Sequence, residues 1–246
     1  MPDDAPPEDP RTDDRAADDR APDDAARHAG SPGAATALEL ETRHGPAVAH
    51  VHAPAVPQSA GVLALGHGAG GGVGAPDLVA VTAAAVAAGW TVVLVEQPYR
   101  AAGRRVPPAT QVLDEAWCDV VQQLRDRRVG GLGGGAGEPD VPLVTGGRSA
   151  GARVACRTAV ATAAVGVVAL AFPTQPPGEA DRPSRVPELA SASVPVLVVQ
   201  GATDPYGTPP VAPGREVVVV PGDHGLKKDV GAVADAVVRW LALRAR

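Results

Sequence analysis

Short runs of Val, Leu and Ala, repeated along the chain, limit what it can fold into. Residues 62–65, 90–95, 141–145, 165–171 and 194–199 hold scarcely a polar side chain. A strand apolar on both sides is buried on both faces, which requires a parallel sheet covered by helices. The segments between supply those helices: 78–88, ended by Gly89; 109–128, opened by Pro107-Pro108; 150–164; and a closing one at 228–243. Ahead of them, 38–44 and 47–52 alternate apolar and polar, with Gly45-Pro46 between as a turn signal, which predicts a hairpin. A last strand is predicted at 216–220. The fold class is therefore α/β: a mostly parallel central sheet with an antiparallel N-terminal hairpin and helices on both faces. Such sheets carry their functional loops at the carboxyl ends of the strands.

One of those junctions holds Gly147-Arg148-Ser149-Ala150-Gly151. A G-x-S-x-G between strand and helix is the signature of a nucleophile elbow, a turn too tight for side chains two positions either side of the serine. Three other strand-end loops are rich in glycine and polar groups: 66–72, 201–207 and 222–225. Together they place Ser149, Asp204 and His224 in that chain order. A serine hydroxyl needs an adjacent imidazole to take its proton, and the imidazole needs a carboxylate to fix its tautomer. Asp223 is a rival acid, but adjacent side chains in an extended loop point apart, which favours Asp204.

The residues before 37 are of another kind. Positions 3–27 carry an acidic doublet every five residues and hold ten acidic against four basic side chains, so the whole formal charge of −6 sits there. Without aromatics, such a segment cannot bury enough apolar surface to offset its ordering entropy. Residues 1–36 are expected to be a disordered acidic tail, and 37–246 the folded domain. A neutral domain behind an acidic tail argues against nucleic acid as a partner. No apolar stretch of about 18 residues and no leader-like segment is present, so neither membrane nor secretion is expected. Cys118 and Cys156 form no C-x-x-C and read as reduced packing residues of a cytoplasmic protein.

Over 37–246 the chain resembles the α/β-hydrolase superfamily. Within it, the chain is similar to the small hydrolases that include testis-expressed protein 30 and a subunit of the NSL acetyltransferase complex. The match is carried by His67-Gly68-Ala69-Gly70, Pro98-Tyr99-Arg100 with Gly103-Arg104-Arg105, the run from Gly146 to Arg153, Pro176-Pro177-Gly178, Gln200-Gly201 with Asp204-Pro205, and Gly222-Asp223-His224 with Leu226-Lys227. Ala150 departs from it, standing where methionine is commoner, and so does Thr174-Gln175, where leucine and histidine are expected. The resemblance implies Ser149 as nucleophile, His224 as general base and Asp204 as its orienting acid. The oxyanion is expected to be held by the backbone N–H of Ala150, at the helix start, and by one from Gly68 to Gly70, Ala69 foremost. The cap is expected to be minimal or absent, because 172–193 is short and Pro-rich with room for one short helix. The expected function is cleavage of an ester or related acyl bond of a small molecule through an acyl-serine, without cofactor or metal. The sequence does not fix the oligomeric state.

Other residues carry weaker signals. His67, Gly70 and Arg148 are candidates to meet the substrate, His67 more readily as a loop-positioning hydrogen bonder. Arg148, Arg104 and Arg105 suit an anionic substrate or pairing with nearby carboxylates. His50 and His52 share one side of a strand but do not complete a zinc site. Trp117 and Trp240 read as packing anchors. Gly66-x-Gly68-x-x-Gly71 with Glu96 fits a dinucleotide fingerprint, yet leaves Ser149, Asp204 and His224 unexplained. A non-catalytic scaffold is the remaining alternative, and it has no physical need for all three groups.

Overall fold

The alternating N-terminal segment forms the expected hairpin, β1 (Thr36–Thr42) and β2 (Gly45–His52). Its turn is Arg43-His44 and not Gly45-Pro46. Gly45 instead pairs with Thr42 in the ladder, and the Thr42 hydroxyl donates to its carbonyl at 2.7 Å. The turn residues are held from outside: Arg43 makes a two-pronged pair with Asp119, and His44 meets Glu115 at 2.7 Å. Tertiary charge contacts have overridden the local turn signal.

This computed structural model describes residues 35–135, 137, 139–175 and 183–245. The acidic segment 1–36 lies outside them except for its last two residues, and so does Pro176-Pro177-Gly178. After the hairpin come β3 (Val62–Gly66), α1 (Pro76–Ala87), β4 (Thr91–Glu96), α2 (Pro98–Ala101), α3 (Thr110–Asp126) and β5 (Leu143–Arg148). Then follow α4 (Ala150–Thr158), β6 (Gly166–Leu170), α5 (Val186–Ser191), β7 (Val196–Gly201), β8 (Arg215–Val220) and α6 (Val230–Ala242). Three elements differ from expectation. β5 starts two residues late, because Pro142 has no N–H for the ladder, and runs on through Gly146, Gly147 and Arg148. α4 stops at Thr158, short of 164, and the chain then turns through Ala163 at φ 48°. α2 is a single turn whose four residues were too few to show a period.

The strands form one sheet in the order β1-β2-β4-β3-β5-β6-β7-β8. The hairpin and the β2–β4 pair are antiparallel, and the rest is parallel. Alternate residues of each strand serve opposite faces. Leu63, Leu65, Val92 and Leu94 pack with α1 and α6, whereas Val62, Ala64, Val93 and Val95 pack with α3. Farther along, Val167, Ala169 and Val198 pack under α4 and α5. Arg153 and Arg157 of α4 clasp Glu188 of α5, and Arg157 also grips Asp114 of α3 through two hydrogen bonds of 2.7 and 2.8 Å. Between β6 and β7, the described residues hold only the six-residue α5.

All three tryptophans are seated over glycines. A Cβ on Gly61 would lie 2.5 Å from the ring of Trp90, one on Gly166 2.7 Å from Trp240, and one on Gly66 3.3 Å from Trp117. Each ring is almost wholly buried, so the missing Cβ is where the indole packs. Gly61→Ala should therefore overpack the Trp90 seat and cost about 1–3 kcal/mol of stability. Urea unfolding followed by tryptophan fluorescence tests this, and an unchanged midpoint would refute the seat.

Candidate active site

The β3 and β5 strands lie side by side at the point where the chain reverses its direction of travel across the sheet, and their ends pair as Gly66 with Gly147. Such a switch point opens a crevice at the carboxyl ends of the strands. Ser149 stands there, between β5 and α4, at φ 52° and ψ −105°. This backbone shape costs a non-glycine residue about 1–3 kcal/mol and persists only when its surroundings over-determine it. Here Ser149 N–H donates to Leu170 O at 2.9 Å, and Ser149 O accepts from Arg153 N–H in the first turn of α4. Gly147 and Gly151 both lack room for a side chain: a Cβ on either would sit 2.5 Å from the carbonyl oxygen of Gly66. The elbow is thus pressed directly onto the backbone of β3.

The His224 ring spans Ser149 and Asp204. Its Nε2 lies 2.9 Å from Ser149 Oγ and its Nδ1 2.8 Å from Asp204 Oδ2. The carboxylate accepts, so Nδ1 carries the proton and the Nε2 lone pair faces the serine hydroxyl. The Asp204 side chain is fully buried. Its charge is satisfied by directed donors: Gln200 Nε2 to Oδ2 at 2.7 Å and the Tyr206 N–H to Oδ1 at 2.9 Å. Asp223, the rival acid, accepts instead from the Gly225 N–H within its own loop. The Tyr206 ring lies against His224, with centroids 4.3 Å apart. Gly201 lets these loops touch, because a Cβ there would collide with the Asp223 carbonyl.

Opposite stands the loop after β3. Gly68 abuts the nucleophile, the position of its missing Cβ being 3.7 Å from Ser149 Cβ. Ala69 follows, with its carbonyl held by the Tyr99 hydroxyl at 2.9 Å, and Gly70 is exposed to solvent. Ala150 opens α4, so its N–H is among the donors that a helix start leaves without an intrahelical partner. His67 is buried beneath the loop. The Gln97 N–H donates to its Nε2 at 3.2 Å, so the ring proton is on Nδ1 and goes to Gly68 O at 2.8 Å. Burial pushes the His67 imidazole below its ordinary value, an effect the Gly68 hydrogen bond partly opposes, and the ring stays neutral.

The Arg148 guanidinium is held by protein partners. Its Nη2 donates to His224 O at 2.5 Å, and its Nε lies 3.0 Å from Asp77 Oδ2 in the first turn of α1. That second contact is off the N–H axis, so it joins charges without a directed hydrogen bond. Burial pushes the Asp77 carboxyl up, and the Arg148 guanidinium pulls it back only in part. Arg104 and Arg105 are exposed. His50 lies 4.0 Å from Glu96, and among the described residues no group of three or more His, Cys, Asp or Glu side chains is placed to hold a metal. Both cysteines are free, and burial pushes the Cys156 thiol up to about 12. No helix of the described residues is long and apolar enough to cross a membrane. Sequence reasoning missed Gln200, Tyr206 and Asp77 as parts of the site. Asp77 alone left a trace, as an acid just after a proline at a helix start.

Residues 59–230 match the model of a family described as an alpha/beta hydrolase domain. Among solved structures, an a/b serine hydrolase without lid from Xanthomonas campestris superposes with a TM-score of 0.61 at 21% identity, over 87% of this chain and 98% of that one. Est1E from Butyrivibrio proteoclasticus does so at 0.65 and 13%, covering 85% and 98%. A dienelactone hydrolase from Anabaena variabilis gives 0.65 and 15%, covering 86% and 98%. At such identities the likeness is one of fold. No curated protein matches the chain by sequence.

The buried neutral His67 has a measurable signature. Below about pH 6.5 the unfolded chain takes up a proton that the folded His67 refuses, so its stabilising contribution is whole above that pH and is lost on acidification. His67→Gln should flatten the fall in unfolding free energy between about pH 7.5 and 5.5. Parallel slopes for the two proteins would show that His67 titrates freely.

Proposed function

Because this chain belongs to the α/β-hydrolase family, we propose that it is a serine hydrolase that cleaves a carboxylic ester or related acyl bond of a small molecule. The observation that carries this reading is the unbroken hydrogen-bonded line from Ser149 Oγ through His224 to the buried Asp204. In the proposed reaction Ser149 Oγ attacks the acyl carbon as its proton passes to His224 Nε2. The Asp204 carboxylate steadies the imidazolium through Nδ1. The N–H groups of Ala69 and Ala150 hold the oxyanion, each worth about 3 kcal/mol in the transition state. Collapse breaks the acyl–oxygen bond, His224 returns its proton to the departing alkoxide, and water then repeats the sequence in reverse on the acyl-serine.

The short described connection between β6 and β7, with α5 alone in it, supports an open site suited to small or flexible substrates. Esterase names among the structural neighbours, such as the Pyrobaculum calidifontis esterase, favour an ester over other acyl bonds. Within the family we place the chain with the small hydrolases that include testis-expressed protein 30, on the run from Gly146 to Arg153 and the loop at Gly222-Asp223-His224. The reading includes a cytoplasmic site of action and no nucleic-acid or membrane partner. A dinucleotide is disfavoured by Asp77, whose buried carboxylate occupies the start of α1 where a pyrophosphate would need free N–H groups. A scaffold role gives no reason for burying Asp204 with three donors.

A fluorophosphonate probe, located by peptide mass spectrometry, should label Ser149 alone, and Ser149→Ala and His224→Ala should abolish labelling. Asp204→Asn should lower kcat on a p-nitrophenyl ester by about 10⁴-fold, since it presents the wrong tautomer to His224. A folded wild type that takes up no probe would end the acyl-serine reading.

A further inference from the structure

Among the charged groups at the site, Arg148 makes contacts that the acyl-transfer chemistry leaves unexplained. It directly precedes the nucleophile in the chain, yet its guanidinium donates to the backbone of the base residue 76 positions later. We propose that Arg148, braced by Asp77, is a positioning residue for His224: it ties the loop of the general base to the strand of the nucleophile. The proposal rests on the acyl-serine reading above for its effect on rate, but its structural half stands apart from it.

The sheet explains why such a tie is needed. Ser149 follows β5, whereas His224 follows β8, the edge strand, three strand spacings away. At about 4.8 Å per spacing, the base must reach back some 14 Å over β6 and β7. Its loop is fastened to the acid loop, where Thr203 N–H donates to Gly222 O, Gly201 packs under Asp223 and the Tyr206 ring lies on His224, and to the core through the buried Leu226. These contacts make the acid and base loops one unit. They do not set that unit's distance from the serine. The guanidinium does, because it grips His224 O from the residue beside Ser149.

Asp77 keeps the guanidinium in place. Its carboxylate is fully buried at the start of α1, beside the backbone N–H groups of Asp77 and Leu78. Arg148 supplies the neighbouring positive charge. Swinging it out to meet an anionic substrate would strand a charge in the interior, an arrangement that proteins avoid. The side chain is also mostly covered, 17% exposed. Lysine cannot replace it: an ammonium is a single point of charge, whereas the planar fork serves Asp77 from Nε and His224 O from Nη2 at once.

The test compares wild type with Arg148→Lys and Arg148→Met. Three quantities are read: the fluorophosphonate labelling rate, kinetics on p-nitrophenyl acetate and on the anionic p-nitrophenyl hemisuccinate, and hydrogen exchange of the 221–228 peptide. Both variants should label and turn over about 10²-fold more slowly. The loss should fall on kcat, equally for neutral and anionic esters, with faster exchange in 221–228. Lysine should recover thermal stability but not rate, separating positioning from mere support. For Arg148→Met, millimolar guanidinium should restore part of the rate. Unchanged labelling and exchange in both variants would overturn the proposal, as would a loss confined to KM for the anionic ester, which would make Arg148 a substrate contact. Should the wild type take up no probe, the hydrolase reading fails, and exchange in 221–228 still decides whether Arg148 holds the loop.

Discussion

The contact between β3 and β5 at their carboxyl ends governs the site, and it is made by backbone alone. Gly147 and Gly151 press on the Gly66 carbonyl with no space for a Cβ on either, and Gly146 is equally closed off by the Val168 carbonyl. This closeness brings the loop after β3 against the serine, so that Gly68 touches Ser149 and the Gly151 N–H donates to His67 O at 3.1 Å. The strained serine backbone follows from the same contact. α4 is fastened to α3 and α5 by Arg153 and Arg157, β5 is fixed by its two neighbours, and the one residue between must take whatever dihedral angles join them.

Two buried aspartates show how differently the interior can treat a charge. Asp204 accepts three directed hydrogen bonds, from Gln200, the Tyr206 backbone and His224. Asp77 has the Arg148 guanidinium and the backbone N–H groups of Leu78 and its own residue beside it, yet burial shifts it upward. The first environment fixes the direction in which the carboxylate faces His224. The second suits a brace, whose worth lies in holding an arginine rather than in its own protonation state.

Much of this was legible beforehand, for reasons that separate the readable from the unreadable. The strands announced themselves because a parallel sheet buries both faces and so needs uninterrupted apolar runs. The elbow announced itself because a local steric demand must be met by glycine at fixed spacing. Asp204 and His224 were found from chain order and their strand ends. Contacts between distant segments left no mark. Nothing at Tyr206 tells of the imidazole it covers, and nothing at Arg148 tells which carboxylate it meets. The misplaced hairpin turn has the same origin: Gly45-Pro46 is a fair local signal, but Asp119 and Glu115 on α3 fix Arg43 and His44 as the bend. Residue type predicted what each neighbourhood can do, and only the fold decided whom it meets.

The scarcity of aromatics sharpens the division of labour. The chain has three Trp, two Tyr and one Phe, so its core is built of Val, Leu and Ala, whose small volumes let helices lie close to the sheet. Where a large gap must be filled, an indole is seated over a glycine. Neither tyrosine is used that way. Tyr99 donates to the carbonyl of Ala69, and Tyr206 covers the His224 ring while its backbone serves Asp204. Each thus steadies one side of the crevice, one behind the loop after β3 and the other over His224. A rigid ring loses little rotamer freedom when it is fixed. In a chain otherwise made of small aliphatic residues, that makes it an economical means of holding a loop whose position the chemistry depends on.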